Sequence, residues 1–117
     1  DPSGLAGENR STAEDLLRLA EQIYEHYPDI FTITRAPQAS VLEASGAVTT
    51  VESTHAFAGQ LDFLGGKTGT TRLAGENLIS IFSYGRPAII IVLGDENRFG
   101  NTERLLKWFT HDFRPGD

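Results

Sequence analysis

One short stretch concentrates the residue types that could do chemistry. Gly65-Gly66-Lys67-Thr68-Gly69-Thr70-Thr71 gathers a cation, several hydroxyls and several glycines into one segment. Glycine lets a second backbone, or an extended ligand, lie close against the chain. A lysine between small residues reaches a carboxylate or a nucleophile without obstruction. Threonine suits a strand and offers a hydroxyl. The expected chemistry is recognition of an anionic ligand along the open side of an edge strand. A phosphate-binding loop, G-x-x-x-x-G-K-[ST], is the competing reading. With Gly66-Lys67-Thr68 as its end, its first glycine would fall at position 61, which is Leu61. Such a loop also runs into a helix, whereas the residues after Gly75 alternate as a strand does.

The surroundings of Lys67-Thr68-Gly69 extend the motif in both directions. Phe63-Leu64-Gly65-Gly66 leads into it, and Thr70-Thr71 follows. Then come Ala74-Gly75-Glu76-Asn77-Leu78, an apolar strand ending in Gly94, Arg98, and Leu105-Leu106-Lys107-Trp108. Upstream stand Ser3-Gly4-Leu5, Asn9 and Ser11-Thr12-Ala13-Glu14-Asp15-Leu16-Leu17. Over nearly its whole length the chain resembles the C-terminal half of the catalytic domain of D-alanyl-D-alanine carboxypeptidases. These low-molecular-mass penicillin-binding proteins are serine peptidases, and K-T-G is one of their motifs.

The resemblance implies roles for individual residues. Lys67 would supply positive charge and help bind substrate. The Thr68 hydroxyl would contact the substrate's terminal carboxylate, and Gly69 would leave room for its backbone. The backbone N–H of Thr70 would be one oxyanion-hole donor, useful because it is fixed before charge develops. Thr71 would position the segment. Arg98, expected just before the last helix, would recognise a carboxylate through parallel hydrogen bonds. Without the resemblance, Lys67 reads as a solvated strand lysine and Arg98 as a surface or helix-capping arginine. His55 stands where the family usually has asparagine, and a lone histidine away from metal spacing is ordinarily structural.

The family's other two motifs are missing. Leu64 and Arg104 stand three residues before Lys67 and Lys107, so S-x-x-K does not occur. Gly7, Gly75, Asp95 and Phe99 stand two residues before Asn9, Asn77, Asn97 and Asn101, so S-x-N does not occur either. No serine has a base at local spacing, as an activated hydroxyl requires. H-E-x-x-H and G-x-S-x-G are absent as well. Residues 1–117 are therefore expected to be a C-terminal portion of the catalytic domain, holding half an active site, with the nucleophile upstream. The resemblance further implies a D-Ala-D-Ala stem-peptide substrate, β-lactam binding in the complete enzyme, and an extracytoplasmic location. A β-lactamase or endopeptidase of the same fold, or a non-catalytic module binding peptidoglycan or a partner protein, are the alternatives.

The elements that must position the motif are legible in outline. Ser11 and Glu14 form a capping box ahead of a helix over about residues 12–27, with Leu16, Ala20, Ile23, Tyr24 and Tyr27 as its buried stripe. Pro28 ends it. Asp29–Arg35 is expected to be extended, and Gln38–Glu43 to pair with Ala47–Glu52 as a hairpin. Residues 65–71, 77–83 and 88–93 should pair antiparallel in sequence order. Ala88-Ile89-Ile90-Ile91-Val92-Leu93 is apolar throughout, as in a strand covered on both faces. Its outer edge would be open here, a site for association. Asn101 is expected to cap a last helix over about 102–110, with Leu105, Leu106, Trp108 and Phe109 facing the core. Arg114–Asp117 should fray. The fold class is α+β, a partial DD-peptidase/β-lactamase-like fold with helices packed on an antiparallel sheet.

Composition sets the outer bounds. The chain has 117 residues, enough for one small domain, and 39 % hydrophobic content is in the globular range. A net charge of −6 argues against nucleic acid and anionic membrane surfaces as partners. There is no cysteine, hence no disulfide framework and no cysteine-based metal site. No metal or cofactor is expected. Methionine is absent even at position 1, which predicts a processed or truncated chain, with any targeting segment elsewhere.

Overall fold

A computed structural model describes residues 1–114 of the chain. Its elements run α1 (Ala13–His26), α2 (Pro28–Thr34), β1 (Gln38–Leu42), β2 (Val48–Glu52), β3 (Phe63–Thr71), β4 (Gly75–Tyr84), β5 (Arg86–Asp95) and α3 (Arg98–Asp112). β3, β4 and β5 form an antiparallel sheet in sequence order, and β1 pairs antiparallel with β2 in a separate hairpin. Both pairings agree with the sequence expectation, as does the α+β class.

The central strand explains the layering. In β4, Leu78, Ser80 and Phe82 project to one face and Ile79 and Ile81 to the other, because successive side chains alternate. The first face packs Phe57, Phe63, Leu78 and Phe82 together, with Phe99 and Leu106 of α3 against them. The second packs Ile81 against Ala20 of α1 and Phe31 of α2, with Ile23, Tyr24 and Ile89 alongside. The sheet is thus covered by α3 on one side and by α1 and α2 on the other. Each such buried Phe, Leu or Ile contributes about 1.5–3 kcal/mol of transfer free energy.

Several local expectations are corrected. Pro28–Thr34 is a helix, not an extended run. Proline fits the first helical position, where its missing N–H costs nothing. The helix lets Phe31 bury itself against the sheet, which outweighs the β-branched preference of Thr32, Ile33 and Thr34. The cap of α1 is Thr12, whose side chain accepts from the Asp15 N–H, and not Ser11 with Glu14. Tyr27 is exposed and outside the buried stripe, because the chain turns into α2 there. The last helix starts earlier than expected. Asn97 caps it, accepting from the Gly100 N–H at 3.3 Å, and Asn101 instead bonds the Asp95 carboxylate at 2.9 Å. In that helix Leu106 and Phe109 are partly buried, while Leu105 and Trp108 are exposed. β5 is an edge strand of its sheet, and among the described residues no strand pairs with its outer side. Residues 115–117, for which fraying was expected, lie outside the described residues.

Candidate functional site

β3 carries the Lys67-Thr68-Gly69 motif at one edge of the three-stranded sheet, and among the described residues no strand pairs with its outer side. The geometry of that edge follows from one hydrogen bond. The Gly66 N–H donates to Thr34 Oγ1 at 3.0 Å, so it points away from β4. Backbone groups alternate in direction along a strand. Thr68 and Thr70 therefore turn their N–H and C=O outward as well, while Lys67 and Gly69 pair with Ile79 and Asn77 of β4.

Two glycines are needed at the start of this strand. Gly65 has φ +139°, and a Cβ there would run into the Phe31 backbone of α2. A Cβ on Gly66 would meet the Ile79 carbonyl and lie 2.7 Å from His55 Nε2. These close approaches bring α2 and the His55 loop against β3. Between them opens a cleft of about 290 Å³, walled by Gly66, Lys67 and Thr68 on one side. Its other wall comes from Ile33 and Thr34 of α2, from Ala39 and Val51 of the hairpin, and from Thr54.

Each predicted residue has a definite place. Lys67 is exposed at the cleft, its ammonium donating to the Thr68 carbonyl. Thr68 Oγ1 lies 2.7 Å from Thr54 Oγ1. Gly69 is exposed, with open space where a side chain would stand. Thr70 Oγ1 accepts from Arg98 Nη1 at 2.7 Å. Thr71 Oγ1 accepts from the Ala74 N–H at 3.0 Å and closes the β3–β4 turn. Arg98 opens α3 instead of preceding it. Its Nη1 also lies 3.4 Å from the Asn77 carbonyl and 3.5 Å from that of Gly69. Its Nε is 3.5 Å from Glu76 Oε1, close enough for attraction but off the hydrogen-bonding axis. Lys67, Thr68 and the cleft thus lie together, and Arg98 joins the far end of the same strand through Thr70.

Three contributors were not singled out in the sequence. Thr34 holds the Gly66 amide, Thr54 touches Thr68, and Asn77 ties two turns together by accepting from the Gly94 N–H at 2.8 Å and donating to the Gly75 carbonyl at 3.0 Å. No local pattern marks Thr34 or Thr54, since both act across the fold. His55, read as structural, is buried. Its ring lies 4.4 Å from that of Phe63, with Phe57 and Phe99 also in contact. Nε2 lies 3.1 Å from the Ile79 carbonyl, which only accepts, so the proton belongs on Nε2. Nδ1 is buried without a partner. Burial holds the imidazole pKa below its ordinary value; the carbonyl bond opposes that shift, and the charge of Arg98 adds to it.

The fold is that of penicillin-binding serine peptidases. Penicillin-binding protein D2 from Listeria monocytogenes, solved with ampicillin and with cefotaxime, superposes with a TM-score of 0.72 at 33 % identity over 90 % of this chain. The D-alanyl-D-alanine carboxypeptidase from Mycobacterium tuberculosis H37Rv superposes with a TM-score of 0.76 at 22 % identity over 98 % of the chain. Residues 1–97 match the family described as D-alanyl-D-alanine carboxypeptidase, and the chain belongs to that family. It covers 45 % of the ampicillin-bound chain, 44 % of the cefotaxime-bound one and 47 % of the mycobacterial one. No curated protein matches it. Among the described residues, no helix is long and apolar enough to cross a membrane.

Proposed function

We propose that residues 1–117 are a C-terminal portion of the catalytic domain of a serine-type D-Ala-D-Ala carboxypeptidase. The complete enzyme would trim peptidoglycan stem peptides in the cell envelope through an acyl-enzyme and would bind β-lactams. This chain would supply one wall of the active site, and the serine nucleophile would come from the other part of the domain. The observation that carries the reading is the free edge of β3. Outward amides at Thr68 and Thr70 can receive an extended peptide as an added strand. Lys67 places positive charge at the cleft where a carboxylate would end. The Thr68 hydroxyl would donate to that carboxylate, and Gly69 would leave room for the peptide backbone. The Thr70 N–H would be an oxyanion donor held ready by the sheet. Thr71 would act only by fixing the turn. Arg98 would add charge at the Thr70 end, with Glu76 and three strand oxygens limiting how much of its guanidinium a ligand could use.

A fluorescent penicillin tests this. The chain alone should not be labelled covalently, because no activated serine is expected in it. Addition of a polypeptide holding the S-x-x-K and S-x-N half of a relative should produce labelling. Labelling of the chain alone would overturn the division of the active site. Failure of every added half to produce labelling would favour a binding module without catalysis.

A further inference from the structure

Thr54 is exposed and sits outside the K-T-G strand, and among the described residues its side chain reaches one polar partner, Thr68 Oγ1 at 2.7 Å. Its loop is not free to wander. Ser53 N–H donates to the Pro37 carbonyl at 2.8 Å, and the His55 N–H donates back to Ser53 Oγ at 3.1 Å. The next side chain, His55, is buried among Phe57, Phe63 and Phe99 and bonded to the Ile79 carbonyl of β4. Because β4 pairs with β3 at Lys67 and Ile79, the loop is fixed to the strand that presents Thr68.

A pair of hydroxyls at this distance shares one proton along its axis, and the direction of that proton decides what the second hydroxyl can do. If Thr68 donates to Thr54, its only donor is spent. If Thr54 donates, Thr68 Oγ1 accepts on one side and keeps its own O–H for a ligand. Hydrogen bonds in such a chain strengthen one another. A carboxylate only accepts, so its arrival favours the second arrangement.

We infer that Thr54 is a positioning residue that sets the donor direction of the Thr68 hydroxyl toward a ligand carboxylate, with buried His55 anchoring the loop that holds it. The inference rests on the proposed substrate site. In that site the motif residues would touch the ligand, whereas Thr54, at the rim of the same cleft, would act through its bond to Thr68.

The test uses amide chemical-shift titrations of the chain with N-acyl-D-Ala-D-Ala and with the same peptide capped as a C-terminal amide. Wild type should prefer the free carboxylate, and T68V should abolish the preference. T54V keeps the side-chain shape but lacks the donor, and should weaken the carboxylate peptide about fivefold while leaving the amide peptide nearly unchanged. T54S restores the donor and should return the preference. A role confined to stability would weaken both peptides alike in T54V and would overturn the inference. An unaltered preference in T54V, with T68V still losing it, overturns the inference and leaves the site intact. A wild-type chain that binds neither peptide, or binds both equally, overturns the site and the inference with it.

Discussion

The two sheets are built from similar residues and end in opposite environments. Both are rich in β-branched and apolar side chains, yet Phe63, Leu78, Ile81 and Phe82 of the three-stranded sheet are buried, whereas every residue of β1 and β2 is exposed. Val41, Leu42, Val48 and Val51 of the hairpin all face solvent to a large extent. The three-stranded sheet has helices on both faces. The hairpin has its own ladder, extended by Ser53 N–H to the Pro37 carbonyl, and at its base Gly59 N–H bonds the Arg35 carbonyl. A lone hairpin of two strands is marginally stable in water. The candidate cleft lies where these regimes meet, with β3 as its fixed wall and the hairpin as its weakly held one. Strand propensity is shared between them; burial sets them apart.

That contrast orders the mutational effects. Phe63→Ala, deep in the fixed sheet, should cost about 4 kcal/mol of unfolding free energy. Gly66→Ala should cost about 3 kcal/mol, since the new Cβ meets the Ile79 carbonyl and the His55 ring and forces β3 and β4 apart. Urea denaturation of each variant checks both, and a Gly66→Ala chain as stable as wild type would mean the close approach is not made in solution.

A smaller effect should appear with pH. His55 titrates below its ordinary value of 6.5 because it is buried, while the same imidazole in the unfolded chain titrates near that value. The unfolded chain then binds more protons as acidity rises. The stability contributed by neutral His55 is complete above about pH 6.5 and is lost as pH falls through the lowered folded value. Ser80, the Ile79 carbonyl and the Arg98 charge are the polar groups around it. Urea midpoints measured from about pH 7 to about pH 5 should fall, and H55Q should flatten the slope. A wild-type slope unchanged by H55Q would assign it to other groups. Leu42→Ala in the hairpin should be the mildest of all, within about 0.5 kcal/mol, because its side chain is already in water. A cost near that of Phe63→Ala would show that the hairpin is buried in solution.

The sequence revealed much of the fixed sheet and little of what surrounds the cleft. Alternation in Leu78-Ile79-Ser80-Ile81-Phe82 and short turns gave β3, β4 and β5 their order, because those signals are local. The helix at Pro28–Thr34 leaves no local signal because its decisive contact, Phe31 against Gly65, spans distant positions. The motif pointed to Lys67, Thr68 and Arg98 individually. It gave no sign that Arg98 bonds Thr70, or that Thr54 reaches Thr68, since both links depend on tertiary placement. His55 is structural on both readings, but nothing nearby in sequence announces the aromatic cage or the Ile79 carbonyl. The sequence points to Asn101 as the cap of the last helix; in the structure Asp95 engages Asn101, and Asn97 caps the helix instead.

Amide hydrogen exchange along β3, read residue by residue with and without saturating N-acyl-D-Ala-D-Ala, tests the central claim most directly. The account predicts that Lys67 and Gly69, paired to β4, are protected throughout. It predicts that Thr68 and Thr70 exchange fast in the free chain and slow markedly when the peptide adds to the edge. Thr68 and Thr70 amides that are already protected without ligand, or whose exchange the peptide leaves unchanged, would contradict it.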